Sequence, residues 1–199
     1  LASRLIAVYY VAITERKFYI MAETYRLKVA GLERDLTLCP LNDKLSIAGF
    51  IMFSDVELTV NCAAELLKKT PRFDVIITAE SKGIPLAYEM SRQSGKNYYL
   101  ARKSKKLYMV DPVAVEVKSI TTSNIQTLYM DKNDLNALSG KRVLIVDDVI
   151  STGESLNALK TLVETGNGNI VACAAVLAEG DAAKRDDIIF LEPLPLFPR

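Results

Sequence analysis

A chain of 199 residues that is half apolar and carries a formal charge of +1 is built like an ordinary globular protein, with enough length for one compact domain that buries about 70% of its unfolded surface. This balance excludes a disordered chain and gives no electrostatic support for a nucleic-acid partner, which needs a clear basic excess. Histidine is absent, which rules out a His-based triad or zinc site and leaves acid–base work to carboxylates, Lys, Tyr or water.

The first apolar run, residues 5–13, is about half the length needed to cross a bilayer and has no small-residue cleavage signal after it. It is expected to be a strand or short helix packed on the body of a cytoplasmic protein with no membrane partner. Cys39, Cys62 and Cys173 are widely spaced, with no Cys-x-x-Cys pair, and read as buried thiols in a reducing compartment. Residues 57–69 place Leu58, Cys62, Leu66 and Leu67 at helical spacing, and Thr70-Pro71 closes that helix. A continuous apolar strand is expected at 73–79, a helix at 84–93 and a strand at 97–101. Two further strands, at 113–117 and 127–130, flank the polar stretch 118–126, which reads as a mobile, solvent-facing segment or an ordinary hairpin tip. The remaining expectations are a strand at 142–146, a helix at 151–165 ending at Gly166, a strand at 170–178, and a last apolar run at 188–191 leading into Glu192-Pro193-Leu194-Pro195. Alternating strands and helices of this kind predict an α/β fold with a parallel sheet flanked by helices.

The segment from Val143 to Ser155 carries the strongest chemical signal. Its apolar residues Val143 to Val146 deliver Asp147 and Asp148 to the C-terminal end of a strand, where open α/β sheets place their ligands. Ser151, Thr152 and Gly153 then turn the chain into a helix, so that the backbone N–H groups of Thr152, Gly153, Glu154 and Ser155 suit an anion at the positive helix end. Asp147 and Asp148 suit the hydroxyls of a ribose whose 5-phosphate sits in that turn. Taken alone, Ser151-x-x-Glu154 is a capping box that begins a helix without any ligand. Two adjacent carboxylates repel each other and add no packing, which favours a ligand or metal as their reason for being there. No Gly-Lys-Ser/Thr motif is present, and Gly166-Asn167-Gly168-Asn169 reads as a helix end and turn.

This segment resembles the phosphoribosyl-pyrophosphate signature of the type I phosphoribosyltransferases. Glu80-Ser81-Lys82-Gly83 is similar to the pyrophosphate loop of the adenine branch of that family, where a cis non-proline peptide turns N–H groups inward; such a bond is implied between Glu80 and Ser81. Arg102-Lys103-Ser104-Lys105-Lys106-Leu107 resembles a further basic stretch of the same branch, although a cation cluster is also compatible with a solvated face. The resemblance implies the type I fold, with a small N-terminal hood in residues 1–54, a core in 55–199 and a flexible loop. It also implies transfer of a 5-phosphoribosyl group from phosphoribosyl pyrophosphate to a purine base, with Mg²⁺, in a homodimer. Asp147, Asp148, Lys82 and Arg102 are then the expected catalytic groups. Glu80, Ser81, Gly83, Lys103, Lys106, Ser151, Thr152, Gly153, Glu154 and Ser155 are the expected substrate contacts, and Mg²⁺ is expected on substrate oxygens, with Asp147 as the one protein group beside it. Candidate base contacts lie in 36–41 and 50–53. The Glu-Tyr pair usual in the flexible loop of the adenine branch is replaced by Lys118 to Asn124, so adenine is favoured while xanthine, guanine or another base stays open. The alternative is a non-catalytic regulator that senses the sugar phosphate; repressors of this fold carry a winged helix before the core, for which residues 1–30 are short and insufficiently basic.

Overall fold

The computed structural model describes residues 23–118 and 125–199. The apolar run 5–13 and the centre of the polar stretch 118–126 therefore lie outside the described residues.

The described chain opens with three antiparallel strands, β1 (Thr24–Val29), β2 (Leu32–Asn42) and β3 (Leu45–Ala48), joined at their edge by the C-terminal pair Phe197–Pro198. Ala30 and Gly31 make the first turn with φ of 50° and 77°, the positive values that a two-residue hairpin of native twist requires. Helix α1 (Val56–Lys69) follows, capped where the Asp55 side chain accepts the Leu58 N–H at 3.0 Å. Arg34 on β2 holds that cap in place with a fork to Asp55 at 2.7 and 3.1 Å.

The chain then enters its main sheet: β4 (Val75–Ala79), α2 (Ile84–Ser94), β5 (Asn97–Ala101), the antiparallel hairpin β6 (Val113–Lys118) and β7 (Ile125–Met130), α3 (Lys132–Asn136), β8 (Arg142–Ile150), α4 (Glu154–Thr165), β9 (Asn169–Glu179), a 3₁₀ turn (Gly180–Lys184) and β10 (Ile189–Leu194). The five strands of the sheet lie in the order β10-β9-β8-β4-β5 and pair in parallel throughout. Successive side chains on each strand feed opposite faces. Val75, Ile77, Val143 and Ile145 pack with α4, α3 and the β6–β7 hairpin, while Ile76, Leu144 and Val146 pack with α1, α2 and the N-terminal strands. Both faces are covered, which is why these strands read as unbroken apolar runs.

Several boundaries differ from the sequence expectation. The strand expected at 142–146 continues through both aspartates to Ile150, because β9 keeps pairing with it, Asp147 opposite Ala175 and Ile150 opposite Ala178. The helix expected from Ser151 begins at Glu154. Its cap is Gly153, at φ 83°, with no side-chain cap bond, so the capping box of Ser151 and Glu154 does not form and Ser151 to Gly153 is left as a turn. The proline-bearing end also stays in the sheet: β10 reaches Leu194 through Pro193 and is an edge strand, the kind of strand that tolerates proline. Among the candidate base contacts, Leu36 and Phe50 are buried in the core beneath the antiparallel sheet. They serve packing, whereas Ile51 and Phe53 of the same loop are exposed.

Candidate active site

The C-terminal ends of β4, β5 and β8 open on one side of the main sheet. A cleft of about 370 Å³ there is lined by Ala79, Glu80, Ser81, Lys82, Lys103, Asp147, Asp148, Val149 and Ser155. A smaller pocket of about 120 Å³ adjoins it, formed by Asp147, Val149, Ile150 and the turn Ser151 to Leu156. The sheet thus brings together three segments that are far apart in sequence: the turn after β4, the start of the basic stretch after β5, and the acid pair with its following turn.

Asp147 stands at the junction of the two pockets. Its Oδ1 accepts the Asp148 N–H at 2.9 Å. A side chain on Gly83 would come within 2.9 Å of Asp147 Oδ1 and 3.3 Å of its Cα, so the loop after β4 presses directly against the acid and only glycine fits. Burial, reinforced by the neighbouring Asp148 carboxylate, pushes the Asp147 carboxyl well above the ordinary carboxylate range, and the Asp148 N–H and Lys82 offset only part of that. Asp148 is almost fully buried, and the Lys82 ammonium lies 3.2 Å from its Oδ2. That contact is an ion pair without hydrogen-bond alignment, which leaves Oδ2 without a hydrogen-bond partner. The buried Thr78 Oγ1 is in the same position. Two unsatisfied buried oxygens, on the neighbouring strands β4 and β8, mark this end of the sheet as one that a polar ligand can complete.

On the β4–β5 side, the Glu80 carboxylate accepts the Lys103 N–H at 3.0 Å and Arg102 Nε at 3.2 Å. The Lys103 N–H, together with the charges of Arg102 and Lys106, holds the Glu80 carboxyl below its usual range. A cis peptide joins Glu80 to Ser81. The backbone of Arg102 also exchanges hydrogen bonds with Tyr129 at 2.8 and 2.7 Å, so the β6–β7 hairpin is tied to the residue that pairs with Glu80. Lys106 turns aside, its ammonium donating to Ser104 Oγ at 2.7 Å, and it does not line the cleft.

The other expected catalytic and substrate-contact residues border the two pockets or, as Arg102 and Gly83 do, pack against one that does. Sequence reasoning missed Thr78, whose only signal is a hydroxyl inside an otherwise apolar strand. It also missed Arg185, whose guanidinium packs against Gly153 from a loop on the far side of β9. No local pattern marks that contact.

The fold and the site define a class. The phosphoribosyl transferase domain family matches residues 59–194, and the chain belongs to that family. In sequence, it is 32% identical over 127 residues to an adenine phosphoribosyltransferase of Rhodococcus jostii, covering 63% of this chain and 69% of that protein. It is 32% identical over 108 residues to the purine biosynthesis transcriptional repressor PurR of Bacillus subtilis, covering 54% of this chain and 37% of the repressor. A xanthine phosphoribosyltransferase of Exiguobacterium is 30% identical over 122 residues, covering 61% of this chain and 62% of the enzyme. The solved adenine phosphoribosyltransferase of Thermoanaerobacter pseudethanolicus has the same fold, with a TM-score of 0.67 at 21% identity, over 79% of this chain and 95% of that one. The type I phosphoribosyltransferase fold, with its parallel sheet flanked by helices, is therefore the fold of this protein.

Proposed function

We propose that this protein is a purine phosphoribosyltransferase that moves the 5-phosphoribosyl group of phosphoribosyl pyrophosphate onto a purine base, adenine foremost, and releases pyrophosphate. One observation carries the reading: two anion-suited turns, Glu80 to Gly83 and Ser151 to Ser155, border adjoining pockets that meet at an acid pair, of which Asp148 Oδ2 is buried without a hydrogen-bond partner. A sugar bearing phosphate at one end and pyrophosphate at the other matches that spacing of chemistry.

In this reading the amides of the Ser151 to Ser155 turn hold the 5-phosphate. Asp147 and Asp148 accept hydrogen bonds from the ribose hydroxyls and fix the ring. Lys82 and Arg102, with the amides of the Glu80 to Gly83 turn, meet the pyrophosphate, and Lys103 adds charge at the rim. As the bond to pyrophosphate lengthens, positive charge grows on the ribose ring beside the carboxylates and negative charge on the leaving group beside the cations. The protein's work is positioning and electrostatic stabilisation. The residues fit Mg²⁺ carried on the substrate: Asp147 and Asp148 offer neighbouring carboxylates, Asp148 Oδ2 being without a hydrogen-bond partner. Among the described residues no group of three or more acids or thiols gathers to hold a metal by itself. When bound, the ion neutralises charge on the leaving group.

The test is pyrophosphate release from phosphoribosyl pyrophosphate with each common purine and pyrimidine base in turn. Release with a purine supports the enzyme, and the base that supports it names the substrate. The second reading, a sensor of the sugar phosphate without turnover, is favoured by the repressors among the relatives, of which the chain spans about a third to a half of the length. Binding with no release for any base would establish it.

Two further parts of the reading are ours. We divide the chain at residue 54 into hood and core, and assign the polar stretch 118–126 as the loop that closes over the sugar. We also assign a homodimer, supported by the exposed apolar residues Phe53, Val56 and Tyr88 that surround one pocket. Among the described residues no helix is long and apolar enough to cross a membrane.

A further inference from the structure

A charge cluster lies beside the phosphate turn without serving the acid pair. After the 3₁₀ turn that ends β9, Arg185 donates from Nε and Nη2 to the two carboxylate oxygens of Asp187, at 2.8 and 2.7 Å. Lys160, on the helix that the phosphate turn opens, donates to Asp187 Oδ2 at 3.2 Å. Asp187 therefore grips one edge of the guanidinium and sets its direction. The other nitrogen, Nη1, stands 2.7 Å from the position that a Cβ on Gly153 would occupy. It has no hydrogen-bond partner among the described residues.

An exposed Arg–Asp fork is ordinary and by itself stabilises a protein little. It does not explain why the unused edge is pressed against the tightest residue of an anion-suited turn. Gly153 has a φ of 83°, which side chains rarely adopt, and the guanidinium fills the space beside its Cα that a Cβ would take. The contact also sets a fixed positive charge beside a turn whose own contribution is uncharged amides. Arg suits that place, since it stays ionised and its planar fork keeps the direction that Asp187 imposes.

We propose that Arg185 is a positioning residue for the 5-phosphate half of the cleft: held by Asp187, its guanidinium backs the turn at Gly153 and strengthens the hold on a phosphate monoester there. The inference rests on the phosphoribosyl reading of the site and adds to it a residue outside both turns.

Calorimetric titration of the whole protein with ribose 5-phosphate and, separately, with pyrophosphate tests it in the parent, Arg185→Ala and Arg185→Lys. Loss of one charge-assisted contribution predicts about tenfold weaker ribose 5-phosphate binding in the Ala variant, with pyrophosphate affinity within about twofold of the parent. The Lys variant keeps the charge without the fork, and is expected to fall between, with a loss of about threefold for ribose 5-phosphate alone. A role confined to holding the fold would weaken both ligands together or neither, and either result overturns the proposal. Should the Ala variant fail to fold, the Lys variant decides by the same contrast. If the parent binds both ligands and neither variant separates them, the Arg185 inference alone falls. If the parent binds neither ligand, the phosphoribosyl reading falls and takes the inference with it.

Discussion

The two sides of the cleft are equipped for negative charge by opposite means. The turn after β8 offers backbone amides, a glycine at φ 83° and the start of α4, a geometry fixed by the strand and helix on either side of it. The turns after β4 and β5 rely on side-chain charges, and those charges already have partners: Arg102 pairs with Glu80 and Lys82 with Asp148. On the second side a ligand must exchange protein ion pairs for its own. Preorganisation belongs to the α4 side, and sensitivity to pH and salt belongs to the other.

The sharpest way to break this comparison is at the acid pair between the two sides. Asp147→Asn with Asp148→Asn is expected to reduce pyrophosphate release by about a thousandfold or more, with the fold intact by circular dichroism. Unchanged kinetics would remove the carboxylates from the mechanism. Next in size is Gly83→Ala. Its methyl would lie 2.9 Å from Asp147 Oδ1 and 3.3 Å from its Cα, so the loop after β4 must move. A displacement of that order predicts a loss of about a hundredfold in turnover, measured in the same assay, and near-parent activity would show the loop to be free to shift.

A pH experiment sharpens the contrast further. The Asp147 carboxyl is raised in the folded protein by burial and by Asp148, so the folded state binds the proton more tightly than the unfolded chain does. Stability contributed by that proton is complete below the ordinary carboxylate range and is lost as pH rises toward the raised value. The melting temperature of the ligand-free protein should therefore decline with pH over that interval, and Asp147→Asn should flatten the decline. Equal slopes in the two proteins would mean that Asp147 is not raised. The smallest effect distinguishes two lysines of one stretch: Lys103 lines the cleft while Lys106 turns to Ser104. Lys106→Ala should change the KM for phosphoribosyl pyrophosphate by less than about threefold, the scale of an exposed charge, and Lys103→Ala by more; the reverse order would place Lys106 in the site.

The core of the fold was legible because its signals are local. The apolar run ahead of Asp147 predicts a doubly covered strand, and α1, α2 and β5 fall within a residue or two of their expected limits. Around the site the sequence was a weaker guide. Ser151 and Glu154 have the spacing of a capping box, yet Gly153 takes the cap, because the strand before it runs on to Ile150 and the turn must then reverse in fewer residues. Leu36 and Phe50 look like ligand contacts in a hood and instead fill the core, since apolar residues carry no mark of which neighbour they will meet. The first hairpin went unread because Ala30-Gly31 lacks the Asn-Gly or Asp-Gly signature of its turn.

By itself, then, the sequence determined which strand ends in acids, which turn follows it and that a second, basic turn exists. These depend on residues close together along the chain, where spacing and residue type suffice. Only the tertiary structure decided that Gly83 touches Asp147, that Lys82 reaches Asp148, that Glu80 occupies Arg102 and that Arg185 stands against Gly153. Each of these contacts joins segments carried by different strands or loops, and their distances follow from the order and parallel pairing of the sheet, which no local pattern encodes.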